Sequence, residues 1–171
     1  YSGNSGGSGG QHLHYEIRKS DSEKPINPLL FESGIVDNLK PVIEKLVIYP
    51  INQHSLINNR NSVRKINVSG GHGVYIIPAE IEISINGLAG FGIKAYDMLN
   101  DSPNKCAVYS IELSIDSISS FKYSMDGFSF AESRNVNSHI DYETFMKEDI
   151  YIERTFVLPG DKLSAYKYIV N

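Results

Sequence analysis

The sequence predicts a mainly β protein, an antiparallel β-sandwich of the immunoglobulin kind. Two stretches, AEIEISI at 79–85 and YSIELSI at 109–115, alternate strictly between apolar and polar residues, as antiparallel strands with one solvated face do. Turn-forming sequences such as NG, NDSPN and MDG separate the strand-like stretches. The 11 Tyr and 7 Phe among 171 residues accompany many Ile and Val, which are all enriched in strands. Short strands at turn-punctuated intervals, without alternating helices, are typical of a sandwich.

The first predicted strand is HLHYEIR at 12–18, in which every second residue faces the same way. One face of this strand is unusually polar and carries His12, His14, Glu16 and Arg18. Two prolines in EKPINPLLF, at 23–31, end the strand because proline has no amide to donate. The next strand, PVIEKLVIYP at 41–50, is bounded by prolines, and the polar loop 52–61 separates it from SVRKINV at 62–68.

Later strands are predicted at 74–77, 79–85, 91–96, 107–115, 120–125, 151–157 and 164–169. The stretch ESRNVNSHIDYETFMKED, 132–149, interrupts this pattern and predicts either a short helix or an irregular crossover. Within it His139, Asp141 and Glu143 would form a metal-binding face on a strand but would fan apart on a helix. A solvated crossover is the simpler interpretation of these three residues.

Composition and charge exclude several classes of function. The net charge is −4 and no basic block is present, which argues against nucleic acid as a partner. Cys106 is the only cysteine, so no intrachain disulfide forms, and we interpret it as a small buried or edge residue. No apolar run approaches the ~20 residues of a membrane span. The chain opens on YSGNSGGSGG, without Met or a basic region, and we interpret this as a cut inside a larger protein.

The histidine pair His12 and His14 is the strongest chemical feature of the sequence. On an arbitrary strand such a pair is most often a set of surface or cross-strand partners. Zinc sites, however, favour imidazole ligands on rigid strands, and a second His beside the metal can move protons in hydrolysis. The glycine-rich loop before the strand lets backbone approach a substrate closely. His72 in SGGHG has no partner His and is interpreted as a turn residue.

The N-terminal stretch SGNSGGSGGQHLHYEIR, followed by KPINPLLF, resembles the end of the catalytic domain of lysostaphin-like (LytM-type) zinc metallopeptidases. That family cuts peptide cross-links in bacterial peptidoglycan. The matching features are Ser2-Gly3, the loop 4–10, the run 12–18 and Asn27-Pro28. Gln11 departs from the family, in which proline is common at this position. The similarity covers residues 1–31.

The resemblance implies a role for each histidine. His14 corresponds to a zinc ligand, and His12 to the catalytic His that helps orient or deprotonate the zinc-bound water. The family's two other ligands, a His and an Asp, come from an upstream His-x-x-x-Asp motif, which does not precede His12 here. We therefore expect Zn²⁺ as a cofactor of the full-length protein only, and expect this segment to be inert alone.

A second, looser resemblance concerns GFGIKAYDMLNDSPNKCAVYSIELSID, which is similar to the immunoglobulin-like module that follows the peptidase domain in envelope proteins of the Bacteroidetes group. The expected organisation is a C-terminal remnant of the peptidase domain at 1–31, which ends its truncated β-sheet, a linker at 32–40, and a sandwich at 41–171 that we expect to be truncated at its C-terminus. These resemblances imply an envelope location, periplasmic or exported, with peptidoglycan peptide as substrate and an envelope protein as a possible partner. The alternative is a non-catalytic scaffold or binding subunit with a degenerate peptidase domain. Since the rest of the peptidase sheet is absent, we expect residues 1–18 to form a mobile arm.

Overall fold

The computed structural model describes residues 9–10, 15–31 and 34–169. The strands of these residues pair in antiparallel fashion throughout. The predicted mainly β, sandwich-like fold class is confirmed. The elements in chain order are β1 (Ile17–Arg18), β2 (Pro25–Ile26), β3 (Val42–Pro50), β4 (Leu56–Ile57), β5 (Arg64–Asn67), β6 (Ser69–Gly71), β7 (Val74–Ile76), β8 (Ile85–Asn86), β9 (Ala89–Tyr96), β10 (Ser110–Ile115), β11 (Ile118–Ser124), α1 (Ser133–His139), α2 (Tyr142–Glu148), β12 (Glu153–Arg154) and β13 (Tyr166–Ile169).

Two sheets form the body of the fold. The larger has the strand order β12-β9-β3-β5 and the smaller has the order β10-β11-β13. Ile93 and Ala95 of the larger sheet pack against a buried cluster that includes Ile111, Phe121 and Tyr123 of the smaller sheet. The two sheets therefore enclose a common apolar core, which accounts for most of the hydrophobic stabilisation expected of a sandwich.

The other face of the larger sheet packs against the chain around β12. Val47, Tyr49 and Ile152 form a buried cluster there, with Phe156 against it. Gly90 is required at this place, because a Cβ atom on it would lie 2.5 Å from the Phe156 ring. The absence of a side chain lets the aromatic ring lie directly on the backbone of β9.

The stretch 79–85 differs from its prediction. Only Ile85 of this stretch belongs to a strand, although the apolar alternation is strict. Ile81 and Ile83 do pack against the buried cluster around Ile48, as the alternation requires. Their backbone, however, is bonded by Asn58, whose side-chain amide donates to the Glu82 carbonyl (2.9 Å) and accepts from the Ser84 amide (3.1 Å). The alternation of apolar residues thus indicates which side chains are buried, but it does not show what pairs with the backbone. Here the side chain of Asn58 forms hydrogen bonds that a neighbouring strand would otherwise form.

The interruption at 132–149 consists of two short helices. A capping box formed by Ser129 and Glu132 starts a single 3-10 turn that leads into α1. Asp141 is the N-cap of α2, accepting a hydrogen bond from the Thr144 amide at 3.1 Å, and Asp149 ends the helix in the left-handed conformation. The predicted short helix is confirmed, in the form of two helices joined at Ile140.

The N-terminal segment is paired and docked within its described part. Ile17 pairs with Ile26 in the β1–β2 hairpin, so the expected unpaired backbone is wrong at this position. The Asn27 amide donates to the Asp126 carbonyl at 2.8 Å, and Ile26 forms a bridge with Gly127. The hairpin supplies its own partner strand and then adds to a turn of the sandwich, which pairs part of the backbone of this segment.

The predicted division at residues 31 and 41 stays a prediction. Residues 34–40 contain no helix or strand. Across residues 9–10, 15–31 and 34–169, neither α1 nor α2 has the length and apolar character that crossing a membrane requires.

Candidate functional site

The histidine pair singled out by the sequence, His12 and His14, lies outside the described residues. The described neighbours on the same run are Tyr15, which is exposed, and Glu16, whose carboxylate pairs with the Arg18 guanidinium. The assignment of zinc and catalytic roles to the two histidines therefore stays a prediction.

The described residues contain a different chemical feature, a buried His and a buried Glu that face each other between the two sheets. His139 is the last residue of α1 and is 2% exposed, and its ring stacks on Tyr123 of β11 at 4.1 Å between centroids. Glu153 is in β12 opposite Ile93, so its side chain points into the core, where it is 7% exposed. The His139 Nε2 and Glu153 Oε1 atoms are 3.9 Å apart.

The Tyr166 hydroxyl, which lies behind the ring, favours one tautomer of His139. The Tyr166 hydroxyl donates its proton to the Asp161 carboxylate at 2.8 Å. Its oxygen lies 3.5 Å from His139 Nδ1 and can only accept there. The proton of the neutral ring is accordingly placed on Nδ1, and Nε2 presents a lone pair toward Glu153.

Burial shifts both titratable groups toward their neutral forms. Burial lowers the pKa of His139 to about 4; the nearby Asp161 opposes this shift and Arg154 adds to it. Burial raises the pKa of Glu153 to about 7. At neutral pH the imidazole is uncharged and the carboxyl group is divided between its acid and its anion.

Both groups lie at a cavity of about 490 Å³ whose walls are mainly apolar. His139 Nε2 and Glu153 Oε2 are buried and form no hydrogen bond with any other described residue. Buried polar atoms without partners are rare in folded proteins and mark strained, catalytic or ligand-binding positions. One wall of the cavity is formed by Leu29 and Leu30 of the N-terminal segment. A mainly apolar cavity with two convergent polar groups is the usual form of a small-molecule site.

Asp141, by contrast, has a structural role. Its Oδ2 atom accepts hydrogen bonds from the Tyr49 hydroxyl and the Thr144 hydroxyl, both at 2.9 Å, and Arg154 lies 3.5 Å from Oδ1. Burial alone would raise the pKa of Asp141, but the bonds from Thr144 and Tyr49 and the charge of Arg154 outweigh it and hold this pKa below its ordinary value. A carboxylate with all these donors has no capacity left for a ligand.

The HIDYE stretch is therefore neither a metal face nor a solvated crossover. His139 and Asp141 are buried on different sides of the chain, and Glu143 is exposed on α2. Among the described residues no group of three or more His, Cys, Asp or Glu side chains is arranged to hold a metal ion. Reasoning from sequence missed Glu153, because an acid in an alternating strand ordinarily faces solvent.

The remaining candidates have ordinary structural roles. His72 adopts a left-handed backbone conformation in the turn between β6 and β7, which confirms its interpretation as a turn residue. Cys106 is exposed and forms a bridge with Asp97 at the edge of the fold. Comparison of the chain with known protein families, with curated proteins and with solved structures found no match.

Proposed function

We propose that the chain is part of a zinc metalloendopeptidase of the bacterial cell envelope that cleaves the peptide cross-links of peptidoglycan, with the β-sandwich as its accessory module. One observation carries the proposal: the ordered run of Ser-Gly, a Gly/Ser-rich stretch, the sequence His-Leu-His-Tyr-Glu-Ile-Arg and Asn27-Pro28. Each part of this run has a separate physical purpose in such a site, so the ordered combination is more specific than a His-x-His pair.

Local structure after the histidines supports this proposal. Ile17 and Arg18 form a strand, as the motif predicts. Asn27 accepts a hydrogen bond from the Leu29 amide (3.0 Å) and Pro28 begins a 3-10 helix. The Asn-Pro pair therefore ends the hairpin with a defined cap and turn.

The residues of this chain fit zinc only in part. His14 is the one imidazole that the resemblance assigns to the metal, and a His and an Asp from outside these 171 residues would complete a set of three protein ligands. When bound, zinc supplies a Lewis acid and lowers the pKa of a water molecule toward ~7. His12 would take up and release a proton during hydrolysis, a role that an imidazole can perform.

The whole gene product, with its upstream sequence, tests this proposal. We expect it to contain stoichiometric zinc and to release cross-linked peptides from purified peptidoglycan. His14→Ala should lose zinc, and His12→Ala should keep zinc and lose activity by 10²–10⁴-fold, the usual contribution of a general acid or base. Metal content is measured by elemental analysis and hydrolysis by mass spectrometry of the released peptides.

His54→Ala is the matched control, because His54 is an exposed histidine in a polar loop; it should change neither zinc content nor hydrolysis. A gene product without zinc and without hydrolysis would contradict the proposal and favour the non-catalytic envelope subunit. Near-normal turnover of His12→Ala would show that the roles of the two histidines are wrongly assigned.

A further inference from the structure

The charged residues that line the His139–Glu153 cavity are all acidic. They are Asp37, Asp97 and Glu153, and neither Lys nor Arg lines the cavity. Lys94 and Lys105, which line an adjoining cavity together with Glu153 and Cys106, are paired with Glu44 at 2.5 and 3.7 Å. Arg154 points toward Asp141, 3.5 Å away, although its positive charge still acts on His139. The charges of the lining residues themselves favour a cation.

The buried end of the cavity contains hydrogen-bond acceptors without a matching donor. Nε2 of His139 has no partner among the described residues and presents a lone pair when the ring proton is on Nδ1, the tautomer that the Tyr166–Asp161 hydrogen bond favours. The ionised Glu153 carboxylate accepts only, and its Oε2 has no partner among the described residues. A ligand that pairs both groups must donate at least two hydrogen bonds, and a positive charge on it would offset the buried carboxylate.

We propose that this cavity binds a primary alkylammonium group, with the ammonium between Glu153 and His139 and the alkyl chain against the apolar walls. The ammonium has three donors and one charge in a small volume, which suits two acceptors about 4 Å apart. Val136, Met125 and Leu30 line the path of the chain. A free amine and a lysine side chain share this chemistry, and a cavity of about 490 Å³ has room for either.

Other ligand classes fit less well. An anion would meet three carboxylates, and a neutral alcohol would leave the ionised Glu153 without a counter-charge. A metal ion would lack the third ligand, since the described residues contain no group of three suitable side chains. The proposal does not depend on the zinc site, because the cavity is built from described residues only.

The 171-residue protein tests the proposal with n-butylammonium as the probe and 1-butanol as a neutral probe of equal chain length. In calorimetry at pH 8 we expect one butylammonium per chain and at least tenfold weaker binding of butanol. Cys106 gives an independent readout, because it lines the cavity and is the only cysteine. Butylammonium should slow its reaction with an aromatic disulfide reagent, and butanol at equal concentration should not.

A second pair of probes distinguishes the two sources of the amine. N-acetyl-lysine-N-methylamide carries the same butylammonium on a peptide unit, and the norleucine analogue lacks only the amine. Tighter binding of the lysine compound than of butylammonium identifies a lysine side chain of a peptide as the ligand. Binding of butylammonium alone identifies a free amine. Each result supports the ammonium site.

Glu153→Gln should weaken butylammonium binding at least tenfold. Glu143→Gln, the same change at an exposed acid outside the cavity, should leave it unchanged. If Glu153→Gln does not fold, the pH dependence of the wild-type protein tests the proposal instead. The affinity for butylammonium should rise about tenfold from pH 6 to pH 8, because Glu153 ionises over this range while His139 stays neutral. Equal binding of butanol and butylammonium, no binding of either amine, or an unchanged affinity in folded Glu153→Gln would overturn the proposal.

Discussion

Glu153 and His139 respond to burial in opposite directions, and this has a consequence for stability. The pKa of Glu153 is raised from its ordinary value of 4.5 to about 7, so the folded chain keeps a proton that the unfolded chain loses. The pKa of His139 is lowered from 6.5 to about 4, so between these pH values the imidazole is neutral in the folded chain and protonated in the unfolded chain. With rising pH, the first group destabilises the fold between 4.5 and 7 and the second stabilises it between 4 and 6.5.

We expect these two contributions to cancel between pH 4.5 and 6.5 in the wild-type protein. Glu153→Gln leaves only the histidine, so the free energy of unfolding of this variant should fall, relative to wild type, by about 2 kcal/mol as the pH is lowered from 6.5 to 4.5. Urea denaturation across this pH range measures the difference.

Glu143→Gln is the control for this prediction, because it removes an exposed acid and should keep the wild-type pH profile. Other acids titrate alike in both proteins and do not affect the comparison. A parallel profile for Glu153→Gln and wild type would show that Glu153 is solvated in the folded state.

At the scale of single residues, the sequence and the structure indicate different sites. The zinc chemistry suggested by the order of residues in HLHYEIR stays a prediction, whereas the buried pair His139 and Glu153 is visible only in the structure. Nothing adjacent to Glu153 in the sequence indicates that its carboxyl meets a histidine from α1, since the two are brought together by an antiparallel bridge between Ile140 and Glu153 that depends on tertiary packing.

Asp141 determines the geometry of α2 and of its contact with the larger sheet. Asp141→Ala should lower the free energy of unfolding by about 2–4 kcal/mol, because it removes the helix cap, leaves the Tyr49 hydroxyl unpaired and takes a partner from Arg154. Asp21→Ala, at an exposed turn, should change it by less than about 0.5 kcal/mol. Thermal or urea unfolding measures the change in the free energy of unfolding for both variants. Similar changes in the two variants would mean that the Asp141 carboxylate is solvated in the folded protein.

The side chain of Asn58 forms hydrogen bonds to the backbone of Glu82 and Ser84, in a segment that has no neighbouring strand there. Asn58→Gly preserves its left-handed backbone (φ 50°) but removes both side-chain bonds. The Ser84 amide should then exchange with solvent at least about tenfold faster, while the amide of Ile48 in β3 stays protected. Unchanged exchange at Ser84 would show that another group protects this amide.

The strands are predictable where they pair within a sheet. The predicted strands at 41–50 and 91–96 correspond to β3 and β9, the two central strands of the larger sheet. The prediction of a strand over 79–85 is wrong for residues 79–84, because the alternation there reflects only the packing of Ile81 and Ile83 against the core. A side-chain amide can satisfy the same backbone groups, and apolar periodicity does not distinguish the two arrangements.

For the whole molecule, the contact at Gly127 decides how the N-terminal segment joins the sandwich. A Cβ atom there would lie 2.3 Å from the Pro25 carbonyl oxygen, so Gly127→Ala should displace the β1–β2 hairpin. We expect at least about tenfold faster exchange of the Asn27 amide, which bonds to Asp126. Gly71→Ala, where a Cβ atom meets open space, is the matched control. Equal exchange in both variants would show that the hairpin docks elsewhere.

Leu29 and Leu30 belong to the docked segment and also form a wall of the cavity. Whatever occupies the cavity then touches a surface that exists only while the segment is docked, so occupancy and docking are thermodynamically linked. By reciprocity, a ligand that favours docking tenfold is itself held tenfold more tightly by the docked form. In the sequence the same segment follows His12 and His14 directly, so the proposed ligand and the proposed zinc chemistry belong to neighbouring parts of one chain.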